Sequence, residues 1–159
     1  MVQEAGLTGE TGWIPVEART LRSRCEDVWA IGDITSISLP GRHQPDAPLT
    51  LPKAGTFAHR QAEVVADQIA AATGGRAPRR SDGKGYCWLE LDRGIAAFAS
   101  GEFFAEPAPV VRLHPPTRPL YWGKVLFEKY WLDSGWRRVL WKTLLNLGAQ
   151  GHGVNLGLE

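Results

Sequence analysis

Short apolar runs bounded by turn residues open this chain, and longer stretches with helical spacing follow. "GWIPV" and "VWAI" are short apolar runs that predict strands, with the polar segment "EARTLRSRCED" turning between them. The second run stops on Gly32 and Asp33. Such an ending suits a plain turn. It also suits a buried strand whose tip meets a ligand, because ligands of open α/β sheets bind beyond the carboxyl ends of the strands. "ITSISLPGRHQPDAPLTLP" holds four prolines and no sustained period, which predicts an irregular loop. From Ala54 to Thr73 the spacing becomes helical. One face carries Ala54, Ala58, Ala62, Val65, Ile69 and Ala72. His59, Arg60, Glu63 and Asp67 fall to the solvent side, and "TGG" ends the helix with Gly74 as a left-handed cap. Strand, loop and helix together predict one corner of an α/β layer.

The second half changes pattern. A basic linker leads to two strands, Tyr86 to Leu91 and Ile95 to Ser100, joined by "DRG" with Gly94 at the turn. That predicts a small antiparallel β element. "EPAPVVRLHPPTRP" reads as an extended proline-rich connector. "LYWGKVLFEKYWL" and "GWRRVLWKTLLNL" predict two amphipathic helices broken at Asp133, Ser134 and Gly135. Trp136, Val139, Leu140, Thr143, Leu144 and Leu147 form one stripe on the second. The tail "GAQGHGVNLGLE" has no period and predicts a frayed, flexible end. The expected fold class is α+β with a partial α/β corner.

Composition narrows the function classes. The 159 residues are 43% hydrophobic, enough for a core, and the net charge of +1 provides no field for nucleic acid. Cys25 and Cys87 match no zinc or CxxC spacing and make no disulfide framework, so a reducing cytoplasm is the expected setting. His43, His59, His114 and His152 are scattered and read as surface histidines, so no metal site is expected. The opening residues lack the apolar stretch of a signal peptide, and no uncharged run approaches the ~18 residues that span a bilayer. Four of seven tryptophans (Trp122, Trp131, Trp136 and Trp141) fall in the last quarter. Five basic residues and two acidic ones lie between Tyr121 and Leu147. This Trp-rich, basic region suits a membrane-surface helix pair, and equally a core or dimer face.

"TLRSRCEDVWAIGD" followed by "LPKAGTFAHRQAEVVADQI" resembles the C-terminal part of FAD-dependent pyridine nucleotide-disulfide oxidoreductases. The second segment is most similar to sulfide:quinone oxidoreductases and type II NADH:quinone dehydrogenases. "GYCWLELDRGIAAFASGEFFAEPAP" and "WGKVLFEKYWL" resemble the sulfide:quinone group. The similarity runs from about Gly12 to Leu132. It implies that residues 1–75 are the end of an FAD-binding lobe and 76–120 a β-hairpin region with its connector, while the sequence pattern sets 121–147 as the amphipathic helices and 148–159 as a tail. It implies that Gly32 and Asp33 meet the ribityl or pyrophosphate part of FAD, and that Lys53, Ala54 and Gly55 lie beside the flavin at a helix start. A helix N-terminus carries partial positive charge that favours an anionic reduced flavin. Lys53 is otherwise a solvated lysine at a loop end. The resemblance gives Cys87 a redox role, carrying sulfur in disulfide exchange. A buried structural thiol is the alternative. Cys25 is incidental.

The Gly-rich strand-turn-helix that holds FAD pyrophosphate in such proteins has no counterpart here. "GKGYCW" leads into a strand, and "GHGVNLG" follows the last helix. The second nucleotide-binding domain and the partner cysteine are also missing. The expectation is therefore a C-terminal portion of a flavin-dependent oxidoreductase, of sulfide:quinone or NADH:quinone type, inactive alone. Its expected partners are the missing N-terminal half, a quinone, a membrane surface on the cytoplasmic side and a second copy of the chain. The alternative is a non-enzymatic module that dimerises or touches membrane through Tyr121 to Leu147.

Overall fold

The computed structural model describes residues 2–44, 47–74, 77–151, 156 and 158, except the side chains of 42–44 and 47. Expectations that fall on His152, on the His43 side chain, and on most of "GHGVNLG" lie outside the described residues. The fold is mixed α+β. Its elements are β1 (Ile14–Pro15), β2 (Thr35–Ser36), β3 (Ser38–Gln44), β4 (Ala47–Thr50), α1 (Gly55–Ala72), β5 (Lys84–Leu91), β6 (Ile95–Glu102), β7 (Val110–Thr117), α2 (Arg118–Leu132) and α3 (Gly135–Gly151). They divide into two compact units, Met1–Gly85 with Gly101–Val111, and Tyr86–Ser100 with Arg112–Glu159.

In the first unit the "VWAI" strand is not formed. Only Trp29 pairs, in a single antiparallel bridge with Arg22, whose guanidinium lies 5.1 Å from the indole centroid. The chain instead makes a 3-10 turn at Gly32–Ile34, and the residues just after it, β2, pair in parallel with β1. The expected irregular loop is also corrected. β3 and β4 form an antiparallel ribbon with two register shifts between Ser38↔Thr50 and Gln44↔Ala47. Prolines hide this ribbon from the hydrophobic pattern. Pro40 and Pro48 lack an N–H, which a two-stranded ribbon tolerates because both strands are edges. Gly41, at φ +79°, lets the ribbon turn against Ala108, 3.1 Å from where a Cβ would sit.

Helix α1 forms within a residue of its expected bounds, but it buries a different face. Phe57, Gln61, Val64 and Gln68 point inward, one position back from each of Ala58, Ala62, Val65 and Ile69. Ile69 remains 47% exposed. Val64 joins Leu21 and Ile37 in the core of this unit. Both buried glutamines are satisfied. Gln61 Oε1 accepts from Gly32 N at 2.6 Å, and Gln68 Nε2 donates to the Arg79 carbonyl at 3.0 Å. Arg79 then reaches back to Asp67 at 2.9 Å, so two glutamine-anchored segments clamp the helix. Phe57 meets Phe103 edge-on at 5.1 Å, and a side chain at Gly85 would run into its ring.

The second unit is built on the three-stranded order β5-β6-β7. Gly94, at φ +67°, makes the expected turn between β5 and β6. The proline-rich connector is in part a strand: β7 takes the edge position, where a proline whose nitrogen faces the open side costs no ladder bond within the sheet. Thr117 Oγ1 caps α2 by accepting from Leu120 N at 3.2 Å, with Pro119 in the first turn. Tyr86, Phe98, Tyr130, Leu145 and Leu156 form the core. Trp88 stacks on Phe98 at 4.6 Å. Helix α3 continues to Gly151, four residues beyond its expected end. Among the described residues no helix is long and apolar enough to cross a membrane.

The rotated face of α1 has a direct test. Val64→Ala should cost about 2 kcal/mol or more, as large-to-small core changes do. Ile69→Ala should cost well under about 1 kcal/mol. Urea melts of the two variants check the order.

Candidate functional site

Two places in the molecule gather residues of interest, one in each unit. In the first, Gly32, Asp33, Lys53 and Ala54 come together at the N-terminal end of α1, with Gly55 as its first residue. Gly32 sits at φ +72°, and a Cβ there would come within 3.3 Å of the Ala58 Cβ. The small side chain of Ala58 thus lets the 3-10 turn lie against the helix. Lys53 Nζ donates to the Asp33 carbonyl and, at 3.3 Å, to the Thr35 carbonyl. The ammonium also lies 3.6 Å from the Trp13 ring centroid, in cation–π contact. Lys53 stays exposed to solvent, and its ammonium nevertheless has backbone and ring partners. Lys53 is a fixed positive charge that ties the Gly32–Ile34 turn to the start of α1.

The helix start itself is bare. Ala54 is the N-cap and offers no side-chain acceptor, and the first turn has no acidic residue. The positive end of the helix dipole is uncompensated by its own sequence. The cleft between these residues holds only about 10 Å³, barely one water. Pro52, Lys53 and Gly55 are exposed. The arrangement is a wall that an anionic or hydroxylated group could lie against. It is not an enclosed cradle for a nucleotide.

Sequence reasoning missed three members of this place. Gln61 holds the turn through Gly32 N, Thr35 receives Lys53, and Trp13 stacks on it. No local pattern marks them, because each acts through a contact with a residue distant along the chain.

Cys87 belongs to the second unit. It is half-buried on β5, with Sγ 3.5 Å from the Trp88 carbonyl, and both cysteines are free. Among the described residues no group of three His, Cys, Asp or Glu side chains could hold a metal ion.

The second place is a cavity of about 330 Å³, walled by β5, β6, β7, α2 and α3. Its lining is almost entirely apolar, with Trp88, Phe98, Leu120, Leu126, Leu144 and Leu145 prominent. Of the four C-terminal tryptophans, Trp122 lines this cavity and is 64% exposed. Trp136 is 72% exposed, and Trp131 lies at the margin of exposure against Tyr130 and Phe127. Trp141 is turned inward instead. Its Nε1 donates to Asp133 Oδ2 at 2.7 Å, and Lys129 lies 5.1 Å from its ring, which locks the α2–α3 junction. The expected stripe on α3 is exposed along Trp136, Val139, Leu140, Leu144 and Leu147.

Beside the cavity, Lys124 bridges Glu90 and Glu128, each at 2.6 Å. The hydrogen bonds to Glu128 and Glu90 raise its pKa above the ordinary lysine range.

No known family model matches the chain, and no curated protein matches it.

Two predictions follow from this geometry. Gln61→Leu leaves the half-buried Gly32 N–H without its acceptor, so it should cost about 1 kcal/mol or more. Hydrogen exchange at Gly32 should speed up beyond the global change. For Lys124 the folded state holds its proton more tightly than the unfolded one. That stabilisation is complete below the ordinary lysine value of 10.5 and drains as pH rises past it. Lys124→Met should cost about 1 kcal/mol or less near neutral pH, because both partners are half-exposed. It should also flatten the loss of thermal stability above about pH 10.

Proposed function

We propose that the chain is the C-terminal portion of a flavin-dependent oxidoreductase of the sulfide:quinone or NADH:quinone type. Its first unit supplies one wall of the FAD site. One observation carries the reading: the Gly32–Asp33 turn, the fixed Lys53 charge and the uncapped start of α1 converge on one surface. Each element suits a flavin nucleotide. Gly32 has no side chain to keep a ligand from the backbone. Asp33 is an acceptor for hydroxyls. Lys53 and the helix end favour negative charge on the ring system. The cleft is too small to enclose the cofactor, which fits a site completed by a segment outside this chain. The flavin would supply two-electron chemistry between sulfide, another thiol-type donor or NADH and a quinone.

Within that reading Lys53 holds the turn and the helix end in register, and the α1 N-terminus stabilises an anion placed before it. Cys87 is a candidate for sulfur transfer.

A second element of the proposal concerns α3. Its stripe is exposed on the side opposite Leu145, the residue that the helix buries. Arg137 and Lys142 flank the stripe, Arg138 turns back onto Tyr130, donating to its hydroxyl at 3.1 Å, and the helix has no acidic residue. A surface helix that is apolar outward and carries only positive charge fits an anionic membrane surface. In the alternative, non-enzymatic reading, this face is the whole function of the chain.

The upstream reading frame should encode a Gly-rich FAD cradle. Co-expressed with it, the chain should carry about one flavin per chain, whereas the chain alone should carry little. Ala54→Asp tests the wall. An acidic N-cap should stabilise the isolated chain by roughly 1 kcal/mol and weaken flavin retention in the assembled protein. Stoichiometric flavin on the isolated chain would contradict the shared site. An assembled protein without flavin would overturn the function.

A further inference from the structure

We propose that the cavity of the second unit is a binding site for a single acyl chain of a membrane lipid, admitted when α3 lies on the bilayer. The inference rests on the membrane-surface reading of α3 and adds to it a specific occupant. Three observations carry it.

The first is the chemistry of the walls. Small-molecule pockets pair an apolar lining with a few polar groups that fix the ligand's orientation. Here the lining is apolar and the inner polar atoms are closed off. Trp88 Nε1 and His114 Nε2 have no accessible surface to offer a ligand. A lining this poor in polar surface favours a featureless apolar group over a head group with carbonyls or charges. The volume of about 330 Å³ lies at the small end of ligand pockets, which span about 300–1,000 Å³. It suits one chain.

The second is continuity with the exposed patch. Trp122 and Leu144 line the cavity and are also 64% and 41% exposed. Leu144 is at the same time part of the outward stripe of α3. The mouth therefore opens at the edge of the surface proposed to meet the membrane. Interfacial helices bury their apolar face about 5–10 Å, at the boundary of head groups and acyl chains. That depth brings the upper segments of the acyl chains to the mouth.

The third is charge. Arg137 and Lys142 lie beside the stripe and no acidic residue lies on α3, so anionic head groups are the complementary partner for the rim. Filling the cavity removes apolar wall from water, which favours occupancy.

The test uses the whole chain and vesicles of phosphatidylcholine and phosphatidylglycerol, plain or with bromine at mid-chain. Bromine quenches tryptophan only on contact. The emission lost on changing Trp88→Phe gives the Trp88 share. Brominated vesicles should remove most of that share, while plain vesicles should leave it. Ala149→Leu narrows the cavity and leaves Trp88 in place. It should keep cosedimentation with vesicles and lose the additional quenching, which tests the site even if Trp88→Phe does not fold. Cosedimentation with equal Trp88 emission in both vesicle types would overturn chain entry and leave surface docking standing. Failure to cosediment would overturn both. Quenching by monomeric bromostearate, with none from vesicles, would assign the chain to a free fatty acid and overturn the bilayer source.

Discussion

The first unit depends on one buried amide. Gln61 sits on the inward face of α1, and its oxygen takes the N–H of Gly32. An unpaired polar group in that position would cost more than most apolar contacts contribute. The bond therefore decides which side of α1 can face inward and where the Gly32–Ile34 turn must lie. Lys53 then closes the other side of the turn through the Asp33 and Thr35 carbonyls. The proposed flavin wall exists because two polar ties, one buried and one exposed, fix a backbone segment against a helix start. Gln68 repeats the device farther along α1 by holding the Arg79 segment.

The second unit is organised by aromatic packing. Tyr86, Trp88, Phe98 and Phe127 contact one another at centroid distances of 4.6–6.3 Å. Gly123 on α2 allows the Trp88 ring to approach, since a Cβ there would lie 2.8 Å from it. Rings of this size leave gaps where helices pack on a sheet. The cavity is the remainder. Helix α3 buries Leu145 on one side and exposes a stripe on the other, so it is apolar in two directions. A helix of that kind has a second surface to satisfy.

Much of the helical structure was legible in the residues. The bounds of α1, the break at Asp133 to Gly135, and the left-handed glycines Gly74 and Gly94 all have local causes that act without tertiary context. The inward face of α1 was not legible. Alanines outnumber larger apolar residues on the face that hydropathy selects, whereas the core takes Phe57, Val64 and two glutamines. A glutamine counts as solvent-facing until its partner is known. The β3–β4 ribbon and β7 were hidden because proline signals a break, yet edge strands accept it. "VWAI" failed as a strand because its partner, β1, pairs with the residues after the turn. The convergence of Gly32, Asp33, Lys53 and Ala54 was anticipated through family resemblance. Trp13, Thr35 and Gln61 act through contacts far apart in the chain, which no local pattern encodes.

The prolines of β7 have a consequence for how the molecule meets its neighbours. The strand is exposed on both faces, and Val110, Val111 and Leu113 present apolar side chains along its first half. An open edge of this kind is a template for strand addition. Of the adjacent Pro115 and Pro116 one faces the open edge and removes a donor there, so the ladder that an added strand could gain is interrupted beyond His114. Such a ladder is too short to hold a partner without side-chain pockets. The edge is thereby kept from growing by the same residues that conceal it in the sequence.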